Sequence, residues 1–109
     1  MLNFNEYQNL AKETAIYPES HKIIYPTLGL CGETGEFAEK IKKSIRDNIN
    51  LNEDIHKALL MKELGDVLWY LSAICSDLNV SLEDVAVMNY EKLKSRKDRG
   101  VLHGNGDNR

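Results

Sequence analysis

The sequence predicts an all-α protein of four helices. No stretch of useful length alternates in the manner of a β-strand, and no proline occurs after Pro26. The clearest helical pattern is an apolar stripe whose steps alternate between four and three residues: Leu60, Leu64, Val67, Leu71, Ile74 and Leu78. A chain of 109 residues is long enough for a single domain, residues 1–109, and too short for two. Because the core of such a domain is small, we expect association with other copies.

The first two helices are predicted from caps and prolines. The first helix is expected to begin after Asn5 as its N-cap and to end before Pro18. Its inward stripe comprises Phe4, Tyr7, Leu10, Ala11 and Thr14. The second helix is expected to run from about Ile23 or Pro26 to Arg46. Its stripe comprises Leu30, Thr34, Phe37, Ala38, Ile41 and Ile45.

The last two helices are predicted from the polar residues that precede them. Asn52 is expected to cap the third helix, at about residues 53–78. The run Ser81-Leu82-Glu83-Asp84 resembles a capping box, with Asp in place of the usual Glu, and opens a fourth helix that extends to about Arg96. The sequence therefore predicts a helical core at about residues 5–97.

A basic, glycine-containing tail, about residues 98–109, follows the predicted core. Residues 92–109 carry six Lys and Arg against two Asp, a balance of +4, so the rest of a chain of net charge −3 carries −7. A basic end beside an acidic body can hold phosphates next to a carboxylate-bound metal, or it can bind nucleic acid. A solvated helix end is the alternative that charge alone leaves open.

The composition also indicates a compartment. No stretch approaches the roughly 20 apolar residues of a membrane span, and the first residues lack the basic and apolar parts of a signal peptide. Cys31 and Cys75 have no metal-type spacing, and we expect both to be buried, reduced thiols. These features predict a cytoplasmic protein.

Two acidic doublets are the main functional signal. Glu33 and Glu36 lie on the second predicted helix, and Glu63 and Asp66 lie on the third. In each doublet the carboxylates are three residues apart, so they project from one side of the helix on adjacent turns. Four converging carboxylates repel one another unless a cation binds them, and Mg²⁺ and Mn²⁺ prefer oxygen ligands. The doublets therefore predict a divalent metal site, although exposed acidic residues at this spacing are also typical of a solvated face.

Helical projection places both doublets at the border of a buried seam. Lys40 shares the face of the first doublet and Tyr70 that of the second, whereas Trp69 projects to the opposite side of the third helix. We therefore expect Trp69 at a subunit interface. Three glycines, Gly29, Gly32 and Gly35, lie on and beside the acidic face of the second helix. They favour the close approach of a backbone or a ligand.

These residues resemble the MazG-like nucleotide pyrophosphohydrolases, the all-α nucleoside triphosphate pyrophosphatases. The family pattern ExxE, a spacer and ExxD occurs here as GETGE, which contains Glu33 and Glu36, and ELGDVLWYL, which contains Glu63 and Asp66. The resemblance covers about residues 25–99, and the ending resembles the tails of short, single-domain members.

The resemblance implies a four-helix MazG-like protomer that assembles as a helical-bundle dimer or dimer of dimers. It implies Mg²⁺-dependent hydrolysis, with Mn²⁺ as a possible substitute, of a nucleoside triphosphate to the monophosphate and pyrophosphate. A dNTP or a non-standard NTP is the expected substrate. The metal-binding positions match Glu33, Glu36, Glu63 and Asp66, and either Glu33 or Glu36 is the candidate general base.

Several residues are candidate substrate contacts. The family has an Asn-x-x-Lys/Arg element on its last helix, which Asn89 and Lys92 match. Positive charge makes four residues candidate phosphate partners: Lys40, Lys92, Arg96 and Lys97. Tyr70 can pack against a base or sugar, and a core aromatic residue is the equal alternative.

Three other functions remain open at the level of sequence. One is phosphoribosyl-ATP pyrophosphohydrolase, a relative within the enzyme class. Another is a non-catalytic helical adaptor whose acidic face binds a partner protein. A nucleic-acid-binding protein that uses the basic tail is the third, and the acidic body argues against it.

Overall fold

A computed structural model describes all 109 residues and contains four α-helices and no strand, which confirms the predicted fold class. The helices are α1 Phe4–Lys12, α2 Ile24–Arg46, α3 Asp54–Asp77 and α4 Leu82–Asp98, and a short 3₁₀ turn, Glu19–His21, precedes α2. Helix α3 is the centre of the fold: α2 packs along it, and α1 packs against both α3 and α4. None of the helices is long and apolar enough to cross a membrane.

The helix starts correct two of the predicted caps. Asn3, rather than Asn5, is the N-cap of α1, and its side chain accepts a hydrogen bond from the Glu6 backbone N–H at 2.9 Å. Asparagine is a favourable N-cap residue at either position, so the sequence alone does not determine which of the two begins the helix. Asn52 does not cap α3, because Glu53 occupies the N-cap position and no side chain bonds to the first turn. The Asn52 N–H instead donates to the Asn50 side chain at 2.9 Å.

The predicted cap of α4 is confirmed. The Ser81 hydroxyl accepts a hydrogen bond from the Asp84 backbone N–H at 2.9 Å. The reciprocal bond of a full capping box is absent, because the shorter Asp side chain replaces Glu at this position. Ser81 therefore fixes where α4 begins, two residues beyond the positive-φ Asn79 that ends the preceding turn.

A buried glutamine, rather than an apolar residue, fastens α1 to the bundle. The Gln8 amide nitrogen donates to the Val80 carbonyl at 2.9 Å and to the Ser76 hydroxyl at 3.1 Å, and its amide oxygen accepts from the Leu82 N–H at 2.8 Å. Of the predicted α1 stripe only Ala11 is buried, so that expectation is largely wrong. The side chain that satisfies the backbone of the α3–α4 turn takes the central position instead.

Asp77, at the end of α3, fixes the start of α2. Its carboxylate accepts hydrogen bonds from the Tyr17 hydroxyl and from the Ile23 N–H, each at 2.8 Å. Burial and this bond raise the pKa of Tyr17 well above its ordinary value, and the Tyr17 ring stacks on Tyr25 at 4.8 Å. Because the beginning of α2 is held at the end of α3, the two long helices run antiparallel, and this sets which turns face each other.

Much of the apolar surface is uncovered in one protomer. Only nine of the 109 residues are buried, and Ile45, Leu64 and Leu78 from the predicted stripes are at least half exposed. The radius of gyration is 16.9 Å, compared with about 13 Å for a compact domain of this length. Of the two free cysteines Cys75 is buried, whereas Cys31 is exposed, so the prediction of two buried thiols is wrong for Cys31.

Candidate functional site

The antiparallel packing of α2 and α3 brings the two acidic doublets together. Glu33, Glu36 and Glu63 each contribute a carboxylate oxygen to a group in which all oxygens lie within 4.8 Å of one another. Asp66 lies one turn further along α3, outside that group, yet its charge raises the pKa of Glu33. The four predicted metal ligands therefore lie in one region, three of them as a tight cluster.

The cluster is electrostatically strained in the absence of a cation. Burial is the largest cause that raises the pKa of Glu33, followed by the charges of Glu36, Asp66 and Glu63. Lys40 supplies the nearest positive charge, with its Nζ 3.6 Å from Oε1 of Glu63. One lysine does not balance four carboxylates, so a net negative charge is left between the helices.

Two carboxylate oxygens show that the donor set fits a hard divalent cation. Oε2 of Glu33 and Oε2 of Glu63 are buried and have no hydrogen-bond partner. A buried acceptor without a partner is costly, and a bound cation removes that cost. All the available donors are carboxylate oxygens, which favours Mg²⁺ or Mn²⁺ over metals that prefer nitrogen or sulfur.

Tyr70 packs against the backbone of α2 beside the carboxylates. A Cβ atom placed on Gly29 would overlap the Tyr70 ring, so glycine at this position allows the ring to lie against the helix. Burial raises the pKa of Tyr70, and the nearby Tyr25, Glu33 and Asp66 raise it further. Gly29 thus allows a close approach, but of an aromatic side chain rather than of the predicted backbone or ligand. Gly32 and Gly35 show no close approach, since a Cβ atom placed on either of them would meet no neighbouring segment within 4 Å.

An open cavity of about 360 Å³ adjoins the carboxylates. Its lining residues are Thr14, Glu33, Asp66, Trp69 and Tyr70. The Trp69 indole N–H donates to the Thr14 hydroxyl at 2.7 Å. The rings of Trp69 and Tyr70 meet edge to face, with their centroids 5.0 Å apart. The prediction that Trp69 lies on the far side from the carboxylates is wrong, because Trp69 is one turn beyond Asp66 on α3 and lines the same cavity, where Thr14 from the turn after α1 accepts a hydrogen bond from its indole N–H.

Two residues were missed as parts of the site: Tyr7 on α1 and Thr14 in the turn that follows it. Thr14 lines the cavity, and Tyr7 lies close enough to Asp66 that burial and the charge of this carboxylate raise the pKa of Tyr7. Both belong to the predicted α1 stripe, but the helix ends at Lys12, so Thr14 reaches the cavity from the following turn and not from a helical face. The sequence signal was present, but the helix that receives this stripe was not identifiable from it.

The predicted substrate residues of α4 make no hydrogen bond or ion pair with the four carboxylates. Nζ of Lys92 lies 3.8 Å from a carboxylate oxygen of Asp107. Arg96 is buried and donates to the Asp107 carbonyl at 3.0 Å. Asn89 and Lys97 are exposed and have no such partner. Within one protomer the structure therefore brings Lys40 and Tyr70 to the carboxylates but not the four α4 residues.

Comparison with known proteins places this geometry in a family. Residues 21–101 match the model of the MazG nucleotide pyrophosphohydrolase domain, a range that includes every predicted site residue. The chain belongs to the MazG family. It is also similar to the Gene 37 protein of Mycobacterium phage L5, with 45% identity in an alignment 109 positions long that covers 94% of this chain and 96% of the phage protein. No solved structure gives a significant match. Membership in MazG indicates nucleotide pyrophosphohydrolase chemistry, for which the carboxylate cluster is the candidate centre.

The contact between Gly29 and Tyr70 predicts a contrast between two glycine substitutions on α2. Gly29→Ala should lower the free energy of unfolding by about 1–3 kcal/mol, because the added methyl group displaces the Tyr70 ring. Gly32→Ala meets open space and should raise it by up to about 1 kcal/mol, the helix propensity difference. Urea unfolding of both variants measures the contrast. Equal effects of the two substitutions would contradict the packing described for Tyr70.

The raised pKa of Glu33 predicts a pH-dependent change in stability. The pKa of Glu33 in the folded state is higher than its ordinary value of 4.5. The protonated carboxyl therefore contributes its full stability below pH 4.5, and this contribution is lost as the pH rises through the folded-state pKa. Without metal, Glu33→Gln should therefore be more stable than the wild type at pH 7, and the two should converge below pH 4.5.

Denaturant unfolding between pH 4 and pH 8 in EDTA tests this prediction, and Mg²⁺ should then stabilise the wild type more than Glu33→Gln. Glu39→Gln is the matched control, because Glu39 is an exposed carboxylate on α2 whose partner is Lys42 at 2.8 Å. It should not reproduce either effect. A Glu33→Gln variant that is less stable than the wild type at pH 7 without metal would refute the prediction.

Proposed function

We propose that this MazG protein is a Mg²⁺-dependent nucleoside triphosphate pyrophosphohydrolase that clears a dNTP or a non-standard NTP from the nucleotide pool. The observation that carries the proposal is the pair of buried, unpartnered oxygens of Glu33 and Glu63 inside a cluster of carboxylates. Membership in the family supplies the class of reaction. The two free cysteines suit a reducing compartment, and we place the enzyme in the cytoplasm.

In this proposal the acidic cluster holds the cation. Glu33, Glu36 and Glu63 would provide its protein ligands, with Asp66 at the edge of the group. When bound, Mg²⁺ supplies charge neutralisation at the phosphates and a more acidic water molecule. Glu33 or Glu36 acts as the general base. A carboxylate oxygen of that residue that the cation would leave free accepts the proton of the water that attacks the α-phosphorus. Pyrophosphate is then the leaving group.

Lys40 has a second role in the proposal. It lies 3.6 Å from Glu63 and its side chain is about half exposed, so the ammonium group can turn from the carboxylate to a phosphate oxygen. A lysine serves in such a place as a mobile point charge. Lys40 would therefore neutralise Glu63 before the ligand binds and a phosphate afterwards.

The cavity beside the cluster suits the non-phosphate part of a nucleotide. Its walls combine the carboxylates of Glu33 and Asp66 with the rings of Trp69 and Tyr70. An aromatic wall offers apolar contact to a base or sugar. We propose that the nucleoside lies in this cavity, so that the α-phosphate is next to Glu33.

We further propose that the active form is a homodimer or a homotetramer. Exposed apolar residues on α2, α3 and α4 and the large radius of gyration support it, because a partner copy would cover what the protomer leaves open. Assembly also offers a way for Asn89, Lys92, Arg96 and Lys97 to approach a substrate that they do not reach within one protomer. Light scattering after gel filtration should give two or four times 12.4 kDa. A monomer at micromolar concentration would contradict this part of the proposal.

Pyrophosphate release from a panel of nucleotides, with and without Mg²⁺, tests the function. At least one dNTP or non-standard NTP should be hydrolysed, and only with the metal. Glu63→Gln should lower turnover by about 100-fold or more, since it removes a metal ligand and the partner of Lys40. Glu39→Gln should stay near the wild type, because Glu39 lies outside the cluster. Near-wild-type turnover in Glu63→Gln would refute the metal assignment.

The alternative functions are outcomes of the same experiment. If phosphoribosyl-ATP is the preferred substrate in the panel, the protein is a phosphoribosyl-ATP pyrophosphohydrolase instead. If no nucleotide is turned over and a partner protein binds the acidic face, the adaptor function replaces the enzyme. Binding to DNA or RNA that survives Glu63→Gln would favour the nucleic-acid function.

A further inference from the structure

The segment after α4 folds back on the helix that precedes it. Residues 100–109 reverse direction at Gly100 and Gly106, whose φ angles of 72° and 80° suit glycine. The Arg109 guanidinium closes the segment, because it donates to the carbonyls of Val101 and Leu102, each at 3.0 Å, and to that of Gly106. The result is an ordered loop that lies against the last two turns of α4.

Arg96 lies under this loop with an incomplete set of partners. Its side chain is 5% exposed, and Nη2 donates to the Asp107 carbonyl at 3.0 Å and to the Gly106 carbonyl at 3.4 Å. The nearest carboxylate oxygen, Oδ1 of Asp107, is 3.6 Å away, and the buried Nε has no partner at all. A buried guanidinium that meets mainly neutral carbonyls is poorly compensated for the water it has lost.

Lys92 faces the same carboxylate. It precedes Arg96 by four residues, so the two cations lie on adjacent turns of one face of α4. Nζ of Lys92 is 3.8 Å from Oδ1 of Asp107, and the Asp107 side chain is 89% exposed. One solvated carboxylate thus lies between two cations at distances longer than a good charge-assisted hydrogen bond. An anion with more oxygens and more charge would satisfy both cations better.

We propose that Lys92 and Arg96 form an anion site that Asp107 occupies in the closed form of the loop, and that a phosphate group displaces Asp107 from it. The loop opens when the phosphate takes its place, because the Gly106 and Asp107 carbonyls leave the guanidinium together with the carboxylate. Asp107 is therefore an internal competitor of the ligand. The site itself follows from the contacts of α4; only the identity of the phosphate as part of a nucleotide rests on the proposed function.

The test measures the dissociation constant of pyrophosphate by calorimetry in EDTA, where the carboxylate cluster has no metal. Asp107→Asn removes the competitor and should tighten binding about two- to five-fold, the size expected for an exposed ion pair. Asp98→Asn is the matched control, since it removes one negative charge from the same end of α4 but its partner is Lys94 at 3.1 Å. It should leave the constant unchanged. Lys92→Gln should weaken binding, and circular dichroism checks that each variant is folded.

Hydrogen exchange gives a second readout of the loop. The Gly104 amide bonds to the Val101 carbonyl at 3.0 Å in the closed form, so saturating pyrophosphate should speed its exchange. Equal effects of Asp107→Asn and Asp98→Asn would show only a general effect of charge and would overturn the proposal, as would unchanged exchange at saturation. If the predicted differences appear while no nucleotide is hydrolysed, the anion site stands and the proposed function fails.

Discussion

The mutual repulsion of carboxylates on two facing helices is the constraint around which this protein is organised. Glu33, Glu36 and Glu63 have oxygens within 4.8 Å of one another, and Asp66 adds its charge from the next turn. Such a cluster destabilises the helix pair unless a cation binds. The fold therefore has to hold the two helices together by other means, and it holds the cluster partly buried, where a cation gains most from its ligands.

Contacts away from the carboxylates hold the two helices in register. Asp77 binds the Tyr17 hydroxyl and the Ile23 N–H, which fixes the start of α2 at the end of α3. Near the middle of the pair, the Tyr70 ring fills the space that Gly29 leaves. These contacts lie on the two helices of the acidic doublets or just before α2, so the site is positioned by packing and hydrogen bonds that do not require the metal. A preformed site of this kind binds its ligands without a large ordering cost.

The features that the sequence predicted well are the local ones. Three features depend on residues only a few positions apart: the spacing of the acidic doublets, the cap at Ser81 and the four helices. Helical geometry alone is enough to predict them. Apart from the caps of α1 and α3, the errors concern contacts between distant segments. Nothing near Gln8 indicates that its amide satisfies the α3–α4 turn. The helical projection of α3 likewise could not show that Thr14, in the turn after α1, accepts a hydrogen bond from Trp69. The approach of Asp107 to Lys92 and Arg96 depends on two positive-φ glycines, whose direction of turn the sequence does not specify.

The pKa of Glu33, followed by NMR of the side-chain carboxyl carbon with and without Mg²⁺, tests the central claim most directly. Burial and three neighbouring carboxylates raise the pKa of Glu33, so in metal-free protein it should lie above the ordinary value of 4.5. Saturating Mg²⁺ should lower this pKa, because the cation replaces the proton. An ordinary pKa in the metal-free protein, or a raised one that Mg²⁺ leaves unchanged, would contradict the account of the carboxylates as a cation site.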